Sequence, residues 1–205
     1  MRKIEENELE KVTKQILEIF FDEITIATTV KGINSNTARE IMYENLYRDM
    51  EYFYKYGNIF VYDDDFSGIV TLIDGKQFSI IKKTLLSLKS NKKILSIASK
   101  EEIKLLRSNA KKVQKIHSYN WYKKRKNIPF YVAHLGIDKD KRGQGIFREM
   151  MDFLFDYVKN YNNEIALETF TLNNVEIYEH FGFEVVDKSE TKNKKMIEYR
   201  MIKRI

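Results

Sequence analysis

The sequence predicts an α/β protein, a sheet covered by helices, and three observations carry that prediction. Across residues 130–201, strand-like and helix-like patterns alternate as strand, helix, strand, helix and two closing strands. The first of those junctions sets Gly143 and Gly145 between an apolar run ending at Ile137 and a helical stripe opening at Ile146. Upstream, two helical patterns lead into a strand pair flanking Asp63-Asp64-Asp65-Phe66-Ser67. A series of this kind needs a sheet for its strands and helices to cover the sheet faces.

The elements follow in order. Leu9, Val12, Ile16 and Phe20 recur at spacings of three and four, the period of one helical face. Residues 32–36 break that pattern, and Thr37 with Glu40 has capping-box spacing for a second helix starting at Thr37. Ile41, Leu46, Met50 and Phe53 form its expected buried side. Residues 58–62 and 68–73 read as the two strands of a hairpin. Residues 77–95 read as helix with a break near Asn91. Ser99 and Glu102 then mark another capping box, with Ile103, Leu106, Ala110 and Val113 along the apolar side. Residues 130–137 read as a strand. Ile146, Phe147, Met150, Met151, Leu154, Phe155 and Val158 make a wide helical stripe with charges opposite. Residues 165–170 form the next strand. Asn173 and Glu176 bracket a helix start, Val175, Ile177, Tyr178 and Phe181 lie along that helix, and Gly182 ends it. Residues 183–186 and 196–201 supply the last two strands.

Composition narrows the class. A length of 205 residues suits one large domain, and 43% hydrophobic residues suffice for a core. The absence of cysteine excludes a disulfide framework, a thiolate metal site and a cysteine nucleophile. His117, His134 and His180 have no metal-ligand spacing, so no metal is expected. The start of the chain has no apolar run or cleavage site, and no window suits a membrane span. A cytoplasmic protein without membrane contact is the expectation. The net charge is +6, and lysines cluster at Lys111-Lys112, Lys123-Lys124-Arg125-Lys126 and Lys192 to Lys195. Such runs suit a polyanion. Because basic and acidic residues alternate elsewhere, a solvated surface is the preferred reading and nucleic acid the weaker one.

The glycine-bracketed loop Arg142-Gly143-Gln144-Gly145-Ile146-Phe147 carries chemistry. Backbone N–H groups at a helix start point one way, and the helix dipole adds about half a positive charge there. Glycine lets an anion approach the backbone closely. The loop therefore fits a phosphorylated ligand. It is not a P-loop, because Gly145 is followed by Ile146 and Phe147 rather than lysine and a hydroxyl residue. Nor is it a dinucleotide fingerprint, because Arg148 stands where a third glycine belongs. A plain strand-to-helix turn is the bland alternative.

Two further motifs make the pattern specific. Arg142-x-x-Gly145-x resembles the acyl-CoA signature of the GNAT superfamily of N-acyltransferases, Gln/Arg-x-x-Gly-x-Gly/Ala. Leu167-Glu168-Thr169, followed by Tyr178-x-x-x-Gly182-Phe183, is similar to the superfamily's closing strand and helix. Phe147 stands in the last signature position in place of Gly or Ala, and Thr171 stands where asparagine is common. The resemblance covers roughly residues 130–200. It implies a mixed, mostly antiparallel central sheet with splayed central strands, flanked by helices. It also implies one N-acetyltransferase domain over residues 1–205. Residues 1–129 would form the acceptor side and 130–205 the acyl-CoA-binding half.

The same resemblance implies acetyl-CoA as co-substrate and direct transfer to a primary amine in a ternary complex. The backbone of Arg142, Gly143, Gln144, Gly145, Ile146 and Phe147 would hold its pyrophosphate. The strand end Leu135-Gly136-Ile137 would pair with the pantetheine arm, with Asn173 and Asn174 close by. Tyr178, in the usual tyrosine position, would donate to the departing thiolate, and core packing is the alternative for it. Glu168 would accept the amine's proton, bind a cationic substrate, or pair with a surface lysine. His134 reads first as a structural strand histidine. Phe20, Phe21, Tyr43 and Trp121 could line an acceptor pocket or simply pack the core. The acceptor is a small-molecule or peptide amine, and a homodimer is left open. A nucleic-acid-binding regulator and a non-catalytic CoA-binding member are the alternatives.

Overall fold

The computed structural model describes residues 1–118, 120–161 and 164–205. Seven strands form one sheet: β1 (Arg2–Lys3), β2 (Asn58–Val61), β3 (Gly68–Asp74), β4 (Phe130–Ile137), β5 (Glu164–Thr169), β6 (Glu184–Glu190) and β7 (Ile197–Arg204). Seven α-helices accompany them among the described residues: α1 (Leu9–Phe20), α2 (Ile24–Thr29), α3 (Ser35–Tyr56), α4 (Ile80–Ile97), α5 (Lys100–Gln114), α6 (Ile146–Lys159) and α7 (Leu172–His180). The strand order is β1-β2-β3-β4-β5-β7-β6, and every neighbouring pair is antiparallel except β4 with β5. This is the mixed, mostly antiparallel sheet that the sequence predicts.

The period-two alternation of the strands divides the core. Ile59, Val61, Ile69, Ile73, Tyr131 and Ala166 face α1 and α3, where they meet Val12, Ile16, Met50 and Phe53. Phe60, Val70, Leu72, Val132, Ile165 and Leu167 face α6 and α7. There they cover Met150, Leu154 and Val158, each side chain contributing about 1.5–3 kcal/mol when fully buried.

One irregularity shapes the centre of the sheet. β4 pairs with β3 from Phe130 to Ile137, but the register shifts between Thr71 and Leu72, leaving Ala133 opposite no residue. A bulge of this kind adds twist and bends the strand. On its other edge β4 pairs with β5 only at Phe130↔Ile165 and Tyr131↔Ala166. Beyond Tyr131 the two strands part, and a cleft opens at the middle of the sheet.

The structure corrects three helix starts and breaks. The helix expected from Thr37 begins at Ser35, because the Asn34 side chain accepts the Asn36 N–H at 3.0 Å and caps it first. α4 runs through Asn91 without a break. A lone exposed asparagine costs only about 0.7 kcal/mol, and Ser90 and Ile94 bury against the protein on either side of it. α7 is capped by Thr171, whose hydroxyl accepts the Asn174 N–H at 3.3 Å, so Asn173 lies inside the first turn. The Ser99–Glu102 capping box of α5 forms with both hydrogen bonds. α7 ends as Gly182 predicts: the Gly182 N–H donates to the Glu179 carbonyl and the Phe183 N–H to the Tyr178 carbonyl, with φ +80° at the glycine.

Candidate functional site

The loop after β4 is built around Asp138. Its carboxylate accepts the Asp140 N–H at 2.9 Å and the Gln15 amide at 2.5 Å, tying a short 3-10 turn (Lys139–Lys141) to α1. The chain then turns through Gly143 at φ +77° and Gly145 at φ +84°. Both values lie in the left-handed region that glycine adopts without strain. A Cβ at either glycine would find nothing within 4 Å, so backbone conformation, not crowding, demands glycine there. Gly145 caps α6, and its carbonyl already accepts from Arg148 and Glu149.

What remains is a row of donors. Among the described residues, none of the N–H groups from Arg142 to Phe147 donates to a protein acceptor. Six amides line the turn into α6, where the helix dipole is positive, and Lys141 and Arg142 add charge. A row of this kind can receive an anion. The Phe147 ring turns onto α7, its centroid 6.1 Å from that of Tyr178 and 5.5 Å from that of Phe181.

The strand end Leu135-Gly136-Ile137 leads into this loop along the edge of β4 that β5 has left. Its opposite edge is paired with Val70, Ile69 and Gly68. Gly136 is glycine for space: a Cβ would stand 2.6 Å from Ile19 Cγ2 and 2.9 Å from Phe20 Cζ. α1 therefore packs directly on the strand at the mouth of the cleft.

Glu168 stands on β5 on the α1/α3 side of the sheet. Trp121 Nε1 donates to one carboxylate oxygen at 3.0 Å, and the Tyr131 hydroxyl donates to the other at 2.5 Å. Burial pushes its pKa above the usual carboxylate value, although the two donors and the nearby His117 oppose the rise. Beyond it lies a charged chain. His117 Nδ1 meets Glu198 at 2.5 Å, and Arg200 reaches Glu198 at 2.8 Å and Asp187 at 2.6 Å.

Tyr178 is buried between α6 and the sheet, ringed by Phe147 and Phe183. Its hydroxyl has no hydrogen-bond partner among the described residues. Burial and the Glu168 charge raise its pKa, so the phenol keeps its proton. His134 is structural in its contacts. Its Nδ1 lies 2.9 Å from Thr71 Oγ1, its ring meets Phe20 and Phe53, and burial lowers its pKa to about 4. Asn174 spends its side-chain amide on Thr169 Oγ1 at 3.2 Å, and Asn173 is exposed.

Sequence reasoning missed Tyr131 and the His117–Glu198–Arg200 chain. The one available signal was period two: Tyr131 shares the β4 face that points toward Glu168 across the first paired rungs. Trp121, expected to line an acceptor pocket or to pack the core, donates its indole N–H to the carboxylate. Two surface clefts, of about 240 Å³ beside Gln15 and Asp138 and about 310 Å³ beside Tyr43 and Lys93, include neither Glu168 nor Tyr178. No group of acidic or histidine side chains among the described residues could hold a metal, and no described helix is long and apolar enough to cross a membrane.

Comparison with known proteins agrees with this geometry. Residues 86–205 match the family model of the acetyltransferase (GNAT) domain. An acetyltransferase of Corynebacterium glutamicum, described as histone acetyltransferase HPA2 and related acetyltransferase, superimposes with a TM-score of 0.62 at 13% identity over 99% of this chain and 94% of its own. An N-acetyltransferase of Staphylococcus aureus gives 0.57 at 16% identity over 98% of both chains. An uncharacterised N-acetyltransferase of Schizosaccharomyces pombe is 33% identical over 61 residues, 30% of this chain and 25% of that protein. The chain thus spans about a quarter of the length of that curated relative. With more than half of its length matched and the cleft, loop and tyrosine in place, the chain belongs to the GNAT acetyltransferase family.

Proposed function

We propose that this protein transfers an acetyl group from acetyl-CoA to a primary amine of a small molecule or peptide, by direct attack in a ternary complex within one domain. The observation that carries the reading is the row of six amides from Arg142 to Phe147 that meet no acceptor among the described residues, beside the edge of β4 that β5 leaves. Acetyl-CoA would supply the thioester. The chain's own groups would do the rest. The loop amides hold the pyrophosphate. The backbone of Leu135, Gly136 and Ile137 aligns the pantetheine as an added strand, and an N–H there polarises the carbonyl.

Glu168 accepts the proton that the attacking nitrogen loses. Its raised pKa moves it toward neutrality, where a general base works best. Tyr178 remains protonated and donates to the sulfur as the carbon–sulfur bond breaks and the carbon–nitrogen bond forms. Trp121 and Tyr131 are positioning residues that fix the carboxylate. Asn173 offers an exposed side chain to the cofactor, whereas Asn174 would use its backbone or release Thr169. The neighbouring folds include a mosquito arylalkylamine N-acetyltransferase-like protein and a Drosophila melanogaster polyamine N-acetyltransferase, which supports an amine acceptor. A cytoplasmic location suits this substrate.

Thermal unfolding tests the reading. Acetyl-CoA at 100 times its dissociation constant adds about 2.7 kcal/mol of stability. Absence of a shift with acetyl-CoA and other acyl-CoA compounds would sink it. An amine screen with detection of released thiol then identifies the acceptor.

A further inference from the structure

Helix α4 carries a surface that the acyl-transfer reading does not use. Its inner side is Ser90 and Ile94; Ser90 Oγ donates to the Glu44 carbonyl of α3 at 3.0 Å. On the opposite side stand Ile81, Leu85, Leu88 and Leu95, which are 70%, 61%, 54% and 55% exposed. With Lys92 they fall at spacings of four, three, four and three. At 3.6 residues per turn these five positions span an arc of about 80°. That width is the seam of a two-helix coil, and Ile80, 52% exposed, stands about 60° to one side of it. The stripe lacks the aromatic residues common on the apolar face of a helix lying in a lipid surface.

Charge selects the occupant. α4 carries lysines at 82, 83, 89, 92 and 93 and no acidic residue. Lys83 and Lys93 are paired with Asp49 and Glu44 on α3, and Lys82 lies over the Tyr56 ring. Lys89 and Lys92 make no ion pair among the described residues. Lys92 interrupts the seam, and Lys82 and Lys89 flank one side of it. A second copy of α4 fits badly. Parallel pairing stacks Lys92 on Lys92, and antiparallel pairing sets the Lys82 and Lys89 rows against each other. We propose that α4 docks an acidic amphipathic helix of another protein. Aliphatic residues of that helix would fill the seam, and carboxylates would face Lys82, Lys89 and Lys92.

The probe is a labelled synthetic helix of about three heptads with leucine at both seam positions, glutamate at the flanks and one glutamate opposite Lys92. Fluorescence anisotropy on the full chain should show saturable binding that weakens as salt rises. Leu85→Glu with Leu88→Glu should weaken it at least tenfold without changing the melting temperature, since both side chains are exposed. Lys92→Glu should weaken it as well, and serves alone if the double variant fails to fold. The same peptide with lysine at its flanks should not bind. Three results overturn the proposal: no binding, equal binding by the variants, or dimerisation of the chain that Leu85→Glu with Leu88→Glu abolishes. Binding to phosphatidylserine vesicles without binding to the peptide overturns it too, in favour of a lipid surface.

Discussion

The loop at the start of α6 and the pocket around Glu168 would act on their ligands by opposite means. The loop is exposed, made of backbone, and local in sequence: six successive amides and two left-handed glycines. The Glu168 clamp is half-buried, made of side chains, and assembled from three separate segments, with Trp121 and Tyr131 donating to the carboxylate. A backbone cradle fixes charge by geometry and tolerates change in most side chains. A side-chain pocket tunes a proton by burial and donors and tolerates little. The division predicts that variants of the loop alter affinity and variants of the pocket alter turnover.

Glu168→Gln should have the largest effect. It keeps the shape but removes the base, so turnover of an accepted amine falls by about 10²–10⁴. Acetyl-CoA binding, read by thermal shift, stays within about threefold of the parent because no loop amide is touched. Equal losses of binding and turnover would erase the division between the regions. Gly145→Val attacks the other side. A non-glycine residue held at φ +84° costs about 1–3 kcal/mol. There is room for the side chain, so the exposed loop relaxes and takes the amides out of line. Affinity for acetyl-CoA should fall about five- to a hundredfold while the melting temperature of the free protein barely moves. Titration calorimetry of the folded variant checks this.

The contrast also explains what the sequence revealed. The loop was legible because everything it needs lies between Arg142 and Phe147, and glycine at a positive φ leaves a visible residue type. α6 and β4 were legible for the same local reason: strong periodicity and sharp ends. The clamp on Glu168 was not, since its partners lie 47 and 37 positions away and pairing over that distance leaves no period. The splay of β4 from β5 came from family resemblance alone. The β3–β4 bulge at Ala133 likewise carries no glycine or proline to mark it. α2, six residues long, was missed because it is too short for a periodic stripe. The helix start expected at Asn173 lies two residues beyond the cap, because Thr171 does the capping.

Trp121→Phe sharpens the comparison within the pocket. The indole N–H stabilises the charged carboxylate, so losing it raises the Glu168 pKa further. The acidic limb of the turnover–pH profile should move to higher pH, with acetyl-CoA affinity unchanged. A purely structural tryptophan would lower turnover at every pH and leave the limb in place.

The smallest effect lies on the strand that joins the two regions. β4 carries Tyr131 into the pocket and Ile137 into the loop, and His134 sits between them. Its imidazole is held neutral by Thr71, Phe20 and Phe53, with a folded pKa of about 4 against 6.5 when free; Asp49 favours the proton and Lys83 opposes it. The unfolded chain therefore takes up a proton that the folded chain refuses between those values. This contribution to stability is fully present above pH 6.5 and is lost as pH falls toward 4. Its slope cannot exceed about 1.4 kcal/mol per pH unit. Glu168, whose pKa is raised, acts with the opposite sign, gaining stability as pH falls through its own value. Denaturant unfolding of His134→Gln beside the parent at several pH values isolates the histidine. The parent should lose more stability than the variant between pH 6.5 and 4.5 and no more than the variant above 7. Parallel curves through that window would mean that His134 is charged in the folded chain, and that β4 is wetter at its centre than the contacts with Phe20 and Phe53 indicate.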